Sequence, residues 1–548
     1  MNLGDIDIKS ILLRGNYVTE QDLTTAAQYA ESHHSTLLEY LFSQGVLTKD
    51  LVGQAVAEAF GVTYADLNTN IPAPEQILKI PEGIATKLRV VLASEDANKV
   101  VVTTDNPAQK GLVETLAQFF PGKTLTLAYS LPEDVESLFI NYRKPLVTRF
   151  AQIIAKSKRV APDIITEIFE DALVFRASDI HIEPHESDVV VRFRIDGLLH
   201  ESGRIPGEYY ENILNRIKVQ AKLRTDEHVV PQDGALQYKR NDGEHVDMRI
   251  SIVPTLDGEK VVIRLLSQYI RSFGLTDLGL SQADHNVLLE AAKKPYGMIL
   301  VTGPTGSGKT TTLYALLNII NRPELNATTI EDPIEYKIAT INQIQVNEKT
   351  NLTFARGLRS ILRQDPNLIL VGEIRDQETA EIAVNAALTG HLLFSTFHAN
   401  DAATAIPRLL DIGIEPFIIS STLELVVAQR LVRKLCESCR YSMTVERDVL
   451  QRFLPNATRF FPDPSTTLYA SRGCKSCHQS GYLGRVAAFE LLPISKDLKE
   501  LILKHPTSEQ IWEMARTHGA HSMFEDGIEK VKNGVTTIEE LLRVVPAE

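Results

Sequence analysis

One short stretch constrains the fold of this 548-residue chain more than any other: residues 303–310 read Gly-Pro-Thr-Gly-Ser-Gly-Lys-Thr. The stretch follows the apolar run 298–301, which predicts a strand, and precedes the helix-forming residues 311–320. A strand, a glycine-rich turn and a helix in this order place several backbone N–H groups and a helix N-terminus around one point. Such a point binds phosphate. The alternative is a glycine-rich turn that merely resembles a phosphate-binding loop.

The residues of this loop have distinct predicted roles. Glycines permit backbone conformations and a close approach to an oxyanion that a Cβ would obstruct. Lys309 is placed to reach the β- and γ-phosphates of a nucleotide, and the Thr310 hydroxyl is placed to ligate the Mg²⁺ that bridges them. The predicted nucleotide-binding residues are Gly303, Pro304, Thr305, Gly306, Ser307, Gly308, Lys309, Thr310 and Thr311.

Composition excludes several classes of protein. The net charge of −13 and the isoelectric point of about 5.6 argue against a protein that coats nucleic acid, so no nucleic-acid partner is predicted. Residues 1–10 lack the basic and apolar regions of a secretory signal. No run reaches the roughly 18 apolar residues that a membrane-spanning helix needs. We therefore predict a soluble, cytoplasmic protein, and the length predicts three or four domains.

The N-terminal third divides into two predicted domains. Residues 1–70 contain two similar half-units, each an apolar helix followed by glycine and by a threonine, Thr19 or Thr48, that can cap the next helix. This pattern predicts a small helical domain with a docking or regulatory task. A proline-containing linker at 71–74 follows, and strand patterns at 89–92 and 99–103 predict a small α+β domain over 71–144.

Residues 145–270 begin with helical periodicity and continue into strands with period-two alternation at 178–183, 189–196 and 246–251. The alternation predicts an α+β domain whose sheet buries one face. Arg192 and Arg194 share the other face of the second strand. Two interpretations remain open for them, an ordinary solvated charged face or a surface that clamps phosphate.

Two strands downstream of the loop end in carboxylates. The first is followed by Glu331, Asp332 and Glu335, and the second, residues 368–371, is followed by Glu373. Ligands bind at the carboxyl ends of parallel strands, so these side chains lie where Mg²⁺ and an attacking water must sit. An acidic group there can hold the metal or orient the water.

Basic residues accompany these strands. Arg356, Arg359 and Arg363 fall on one face of a predicted helix over 354–363, free to meet phosphates or a neighbouring subunit. His391 and His398 flank another predicted strand, 392–396. A lone histidine in such a place is usually structural, but the pair is also a candidate sensor of the γ-phosphate.

All four cysteines occur as two Cys-x₂-Cys pairs, Cys436 with Cys439 and Cys474 with Cys477. Each pair gives two thiolates the bite of tetrahedral Zn²⁺, and two pairs close a structural site with no open position. The alternative is four unrelated thiols. We predict a zinc subdomain over about residues 434–485.

The chain resembles the secretion ATPases, and within them the branch of type IV pilus assembly and type II secretion. The motifs that carry the resemblance are residues 303–310, 329–336, 370–376 and 389–401, and also 177–184, 192–197, 254–264 and 429–433. They match in order over about residues 145–548, and the N-terminal third matches more loosely.

The resemblance implies an α/β, RecA-like ATPase domain over 271–548 and a PAS-like domain over 145–270, assembled as a homo-hexamer with ATP bound between the two domains. It also implies roles for site residues. Glu335 activates the water, Glu373 holds Mg²⁺ through its water shell, and Arg192, Arg194, Arg359 and Arg363 reach phosphates.

The expected function is ATP hydrolysis that drives pilus assembly through an inner-membrane platform protein. Type II secretion is the close alternative, and a nucleic-acid translocase on a RecA core or a scaffold that binds ATP without turnover are more distant ones. Related N-terminal domains sometimes bind cyclic di-GMP through an Arg-Leu-Gly motif. Neither half-unit has this motif, and the second reads Ser-Thr-Leu at 35–37, so this ligand is not predicted.

Overall fold

The computed structural model describes residues 8–33, 37–43, 46–142, 146–156, 160–240, 245–266, 275–338, 340–474, 477 and 479–547. The start of the chain, in which no secretory signal was predicted, lies mostly outside the described residues. Residues 35–36, which bear on the absent cyclic di-GMP motif, and the glycine of the second half-unit, Gly45, also lie outside them. No helix of the described ranges has both the length and the apolar character needed to cross a membrane.

The N-terminal region begins with four helices: α1 (Ile8–Arg14), α2 (Glu20–His33), α3 (Leu37–Ser43) and α4 (Lys49–Phe60). Both predicted caps are confirmed, because Thr19 Oγ1 accepts the Asp22 N–H at 3.1 Å and Thr48 Oγ1 accepts the Leu51 N–H at 3.2 Å. A hydroxyl at this position satisfies a backbone donor that the helix leaves free. The half-unit pattern therefore identified the helix starts correctly.

An α+β layer follows directly. Its elements are β1 (Thr63–Tyr64), α5 (Pro74–Ile77), α6 (Glu82–Leu88), β2 (Val90–Glu95), β3 (Lys99–Thr104), α7 (Leu112–Ala117), β4 (Thr124–Tyr129) and α8 (Pro132–Leu138). The sheet order is β1-β4-β3-β2, and Tyr129 of β4 packs into the core of the helices. Residues on the two sides of the boundary predicted at residue 70 therefore share one core, and the boundary is wrong. The predicted linker is also packed, since Ile71 and Ile77 join a hydrophobic cluster of this layer.

The antiparallel domain spans residues 146–266. Its elements are α9 (Leu146–Lys156), α10 (Val160–Val174), β5 (Asp179–Pro184), β6 (Asp188–Ile195), β7 (Leu198–Pro206), α11 (Tyr210–Gln220), β8 (Gln232–Lys239), β9 (His245–Thr255) and β10 (Gly258–Leu266). The strand order is β7-β6-β5-β10-β9-β8, with every neighbouring pair antiparallel. Apolar residues such as Ile180, Phe193 and Ile250 cover one face and form one core with the helices. The predicted one-sided burial is confirmed for β9, whereas on β5 the polar residues Asp179, His181 and Glu183 are buried as well.

The P-loop domain spans residues 275–547 and contains a seven-stranded sheet of order β13-β12-β14-β15-β11-β16-β19. Its first elements are α12 (Gln282–Ala292), β11 (Gly297–Thr302), α13 (Lys309–Ile320), β12 (Ala327–Glu331), β13 (Asn342–Gln345), α14 (Phe354–Ile361), β14 (Leu368–Val371), α15 (Gln377–Leu388), β15 (Leu392–Phe397), α16 (Ala402–Asp411), α17 (Pro416–Thr422) and β16 (Leu423–Leu435). The first six strands of the sheet order run parallel, as buried βα units require.

The remaining elements close this domain. They are β17 (Arg440–Glu446), α18 (Arg447–Leu450), α19 (Ala457–Phe460), β18 (Ser465–Ser471), β19 (Tyr482–Pro493), α20 (Lys496–Ile502), α21 (Ser508–Thr517), α22 (Met523–Lys532) and α23 (Ile538–Val544). Strand β19 pairs antiparallel with β16, and β17 and β18 form a separate hairpin between them.

Polar contacts join the antiparallel domain to the P-loop domain at two places, and one of them also includes an ion pair between Arg485 and Asp196 at 3.8 Å. Arg249 of β9 donates to the carbonyl oxygen of Ile334 at 3.0 Å. The Gly484 N–H of β19 donates to the carboxylate of Asp196, in the turn between β6 and β7, at 2.7 Å. The Arg249 contact places the polar face of the antiparallel sheet near the segment that follows β12.

Candidate active site

The glycine-rich loop connects β11 to α13 at the edge where the parallel strands end, which we call the carboxyl edge. The backbone φ angles are 141° at Gly303, 79° at Gly306 and 89° at Gly308, a region that glycine adopts without strain. Helix α13 begins at Lys309, so Thr310 lies in its first turn. A helix N-terminus with unpaired N–H groups favours an anion, so the predicted strand, loop and helix are present, and phosphate binding stays a prediction.

Lys309 lies across this loop. Its Nζ donates to the carbonyl oxygens of Gly303 at 2.8 Å and Pro304 at 3.0 Å. Burial lowers the pKa of Lys309 below its usual range, and the negative charge of Glu373 opposes this shift. The ammonium group and the Glu373 carboxylate therefore lie within electrostatic reach of each other beside the loop.

Glu373 follows β14 and is buried at the carboxyl edge. One carboxylate oxygen lies 2.6 Å from a guanidinium nitrogen of Arg375, and the other lies 3.3 Å from Nε2 of His398. His398 directly follows β15, which lies between β11 and β14. The structure thus brings Lys309, Glu373 and His398 together from three neighbouring strands. Arg375 was not predicted as a site residue, although it stands two residues after Glu373 in the sequence.

The three carboxylates at the end of β12 and just after it lie in different surroundings. Glu331 points into the domain core, where the hydroxyls of Tyr314 and Thr329 and the amide of Gln343 donate to it. Burial raises the pKa of Glu331, and these hydrogen bonds oppose the shift. Asp332 is exposed and Glu335 is half-buried. Because its carboxylate is already bonded within the core, Glu331 supports the end of the strand.

Glu335 lies near an arginine of the other domain. Burial lowers the pKa of Arg249, and the charges of Glu335 and Asp332 partly offset this effect because both carboxylates lie in its range. The hydrogen bond from Arg249 to the Ile334 carbonyl fixes the residue that precedes Glu335. Arg249 was not predicted. Its position on the polar side of an alternating strand was the available signal.

The polar face of the antiparallel sheet carries a set of paired charges, which we call the charged face. Its members are Asp179, His181 and Glu183 on β5, Arg192 and Arg194 on β6, Lys260 and Arg264 on β10, and Arg249 on β9. Arg192 and Lys260 each lie 2.7 Å from Glu183. Arg264 and Arg194 lie 3.0 and 3.4 Å from Asp179.

The members named above carry more positive than negative charge, although Asp188 and Asp247 stand on the same side of the sheet, toward the ends of β6 and β9. Five basic side chains stand against two carboxylates, Asp179 and Glu183, and burial together with the neighbouring cations lowers the pKa of His181. Burial raises the pKa of Glu183, but the hydrogen bonds that Arg192 and Lys260 donate outweigh it and lower the pKa to about 2. The face is therefore structured by ion pairs and still suited to an anion. The ion pairs of Arg192 and Arg194 agree with the first interpretation, a charged face, and the phosphate clamp stays a prediction.

The predicted pair of histidines does not come together. His391 precedes β15 and His398 follows it, so the two rings lie at opposite edges of the sheet, and roughly 20 Å of strand separates them. The Nδ1 of His391 lies 2.9 Å from the Ala386 carbonyl oxygen. The proposed pairing of the two histidines at the γ-phosphate is therefore wrong. Only His398 lies near the loop.

The arginines of α14 lie on an exposed surface. A guanidinium nitrogen of Arg359 is 2.7 Å from the carboxylate of Glu378. Arg363 follows the end of α14 at Ile361 and donates to the Ser360 hydroxyl at 3.2 Å. Arg356 donates to the Asn351 carbonyl at 2.9 Å. These side chains are accessible from outside the domain.

The four cysteines meet where the β16–β19 pair gives way to the β17–β18 hairpin. The Sγ atoms of Cys436 and Cys474 are 3.8 Å apart, as are those of Cys439 and Cys477, and those of Cys474 and Cys477 are 3.6 Å apart. Ligand sulfurs about 2.3 Å from a tetrahedral zinc are about 3.8 Å from one another. The N–H groups of Cys474 and Gly481 also donate to the Cys477 sulfur. The donor set fits Zn²⁺.

Comparison with known proteins gives matches over almost the whole chain. Residues 155–543 match the family of type II/IV secretion system proteins, and residues 60–147 match the MshEN domain. The type IV pilus assembly ATPase PilB of Myxococcus xanthus is 36% identical over 558 residues, covering 97% of this chain and 97% of that protein. The type II secretion system protein E of Pseudomonas aeruginosa is 47% identical over 387 residues, covering 70% and 75% respectively.

A solved structure supports the fold. The X-ray structure of the ATPase DotB of Legionella pneumophila superposes with a TM-score of 0.53 at 22% identity, covering 71% of this chain and 96% of that chain. The MshEN match begins at residue 60 and crosses the boundary predicted at residue 70, as the pairing of β1 with β4 also does.

Proposed function

This chain belongs to the family of type II/IV secretion system proteins, whose members hydrolyse ATP, and we propose that it is a cytoplasmic motor for type IV pilus assembly. The observation that carries the ATPase chemistry is the meeting of Lys309, Glu373 and His398 at the carboxyl edge. In P-loop enzymes the RecA-like fold places this edge at the nucleotide.

We assign roles on this geometry. The N–H groups of the loop and of the first turn of α13 bind the phosphates of ATP, and Lys309 exchanges its two carbonyl partners for phosphate oxygens. The Thr310 hydroxyl and the Glu373 carboxylate are oxygen donors of the kind that Mg²⁺ prefers, Glu373 acting through water. When bound, Mg²⁺ neutralises charge on the phosphates. Glu335 orients the attacking water and accepts its proton.

The charged face supplies the other wall of this site in our proposal. The excess of positive charge among its members attracts the negative charge of a triphosphate. Arg249 holds the segment that carries Glu335 through its hydrogen bond to Ile334. Arg192 and Arg194 bind phosphate oxygens. Arg359 and Arg363 face outward and serve a nucleotide of a neighbouring subunit in a homo-hexamer.

We propose a structural zinc at the four cysteines, which ties the β17–β18 hairpin to β16 and β19. Metal analysis of the full chain is expected to give about one zinc per chain, since four thiolates complete the coordination of one ion. Cys439→Ser lowers the zinc content and the unfolding temperature, whereas Ser442→Ala in the neighbouring strand β17 changes neither. Well under one zinc in the unmodified chain contradicts the proposal.

Pilus assembly is favoured because the pilus relative matches the chain from end to end, including the N-terminal third. Type II secretion remains the second candidate, since the secretion relative has the higher identity over the region that it covers. We propose in both cases that turnover moves a platform protein of the inner membrane.

Deletion of the gene in its source organism separates the two candidates. Loss of surface pili with unchanged protein secretion, restored by the intact gene and not by a Lys309→Ala copy, is the expected result. Loss of secretion with normal pili assigns the chain to type II secretion instead.

A further inference from the structure

A buried glutamine lies beneath the nucleotide loop, and it has been given no role above. Gln429 belongs to β16, next to β11, where Ala428 pairs with Thr302. Its side chain is 1% exposed. Its amide contacts both sides of the loop-to-helix junction, because Nε2 donates to the Ser307 carbonyl at 2.7 Å and Oε1 accepts the Thr312 hydroxyl at 2.8 Å.

Chemistry fixes the orientation of this amide. The Ser307 carbonyl can only accept a hydrogen bond, so it must face the NH₂ group and not the oxygen of Gln429. The Thr312 hydroxyl then donates to the amide oxygen. Both ends of the side chain are therefore bonded, and rotation of the amide would place two acceptors together in a buried site.

The contact with Ser307 determines where the next N–H group points. In a trans peptide the C=O and the following N–H point in opposite directions. Gln429 draws the Ser307 carbonyl toward the sheet, so the N–H of Gly308 is directed to the opposite, concave side of the loop. That side is where the phosphates of ATP bind in the proposed function.

The glycines show how closely Gln429 supports the loop. A Cβ at Gly308 would lie 3.0 Å from the side-chain Nε2 of Gln429. A Cβ at Gly303 would lie 2.5 Å from the backbone carbonyl oxygen of Gln429. No space remains for the loop to relax toward β16 around these two positions. The loop conformation is therefore set from below by β16 as well as by its own glycines.

We propose that Gln429 is a positioning residue for nucleotide binding, which holds the Ser307–Gly308 peptide so that its N–H faces the β-phosphate. This inference rests on the proposed ATP site. Because the N–H contact is made with both substrate and product, its loss weakens binding more than it slows the chemical step.

The experiment compares variants of the full chain by calorimetric titration with Mg-ADP and by steady-state hydrolysis of ATP. Gln429→Met keeps the length of the side chain without its donor, and we expect Kd and KM to rise about tenfold, the factor that 1.4 kcal/mol produces. The kcat is expected to stay within about threefold, as for an interaction common to ground and transition states.

A second pair of variants tests the same link from the helix side. Thr312→Val removes the donor to Oε1 and is expected to raise Kd, whereas Thr312→Ser keeps the hydroxyl and restores it. This pair also serves if Gln429→Met does not fold. Equal Kd values for Thr312→Val and Thr312→Ser contradict the proposal.

The matched control is Asn321→Leu, which removes another buried side-chain amide, at the far end of helix α13. Asn321 follows the C-terminus of α13 and donates to Thr340, about 18 Å from the loop at about 1.5 Å per residue. It is expected to lower the unfolding temperature without changing Kd. If Gln429→Met lowers the unfolding temperature in the same way and leaves Kd unchanged, Gln429 is only structural. If the unmodified chain binds no Mg-ADP, the proposed function fails instead.

Discussion

The two walls of the candidate site are built in different ways. At the carboxyl edge, Lys309, Glu373 and His398 are held by contacts within one domain, on strands that are neighbours in one sheet. On the charged face, the arginines are held by carboxylates of their own sheet, and Arg249 alone among the described members of that face donates to the P-loop domain. The first wall is therefore held within its own domain, while the position of the second wall relative to the first depends on how the two domains are oriented.

This difference assigns different kinetic roles to the two walls. Groups fixed within one domain can bind and polarise the nucleotide at any domain orientation. In the proposed function, groups on the other domain reach the nucleotide only in a domain arrangement such as the one that brings Arg249 to Ile334, so their loss should affect the chemical step more than binding. Three substitutions test this comparison.

The largest effect is expected at the carboxylate that we assign to the water. Glu335→Gln keeps the shape of the side chain but removes its ability to accept a proton, so kcat should fall by about 10³-fold while the Kd for ATP stays unchanged. Steady-state hydrolysis and equilibrium titration measure the two quantities. Glu500→Gln, an exposed change on α20, is the control. Normal turnover in Glu335→Gln removes this residue from the mechanism.

An intermediate effect is expected where the two walls meet. Arg249→Met removes the hydrogen bond to Ile334 and loosens the segment that carries Glu335, so kcat should fall by about 10²-fold, the cost of a misplaced catalytic group. Affinity for Mg-ADP should change little because the loop is untouched.

Arg204→Met is the matched control for Arg249→Met. It removes an exposed arginine from β7, at the far edge of the same sheet, where its described partners are Asp188 and Glu201. Turnover should stay normal in this variant. Equal losses in the two variants would mean that the antiparallel domain is only generally sensitive to charge.

The smallest effect concerns the ion pairs that order the charged face. The pKa of Glu183 is lowered to about 2 in the folded chain, so its ion pairs stabilise the fold fully above its ordinary pKa near 4.5. That stabilisation is lost as the pH falls from 4.5 toward 2. Glu183→Gln should therefore lower the unfolding temperature at pH 6 and by less at pH 3.5. A difference from the unmodified chain that does not change with pH would contradict this origin.

The sequence predicted the carboxyl edge well because local signals fixed it. An apolar run followed by glycines and a lysine specifies strand, loop and helix together, and β14 has the predicted bounds. The cysteine cluster was predictable for the same reason, since two cysteines with two residues between them can direct their sulfur atoms to one centre.

Features that depend on distant contacts were predicted poorly. Glu331 follows an apolar strand just as Asp332 does, and only the hydroxyl of Tyr314 in the core shows that it points inward. Strand β1 has two residues, too short for a periodic signal, so its pairing with β4 across the predicted boundary was missed. The role of Arg249 depends on a partner 85 residues away in the sequence.

The polar contacts described between the two domains lie at two places, Arg249 with Ile334 and Asp196 with Gly484 and Arg485, and these two places define a line through the molecule. A swing of one domain about that line stretches neither of the two hydrogen bonds, whereas sliding or separation stretches at least one, at roughly 1 kcal/mol each. In the proposed function, we therefore expect the two domains to turn about this line, with one end of it at Ile334, next to Glu335, and the other at Gly484, near the cysteine cluster.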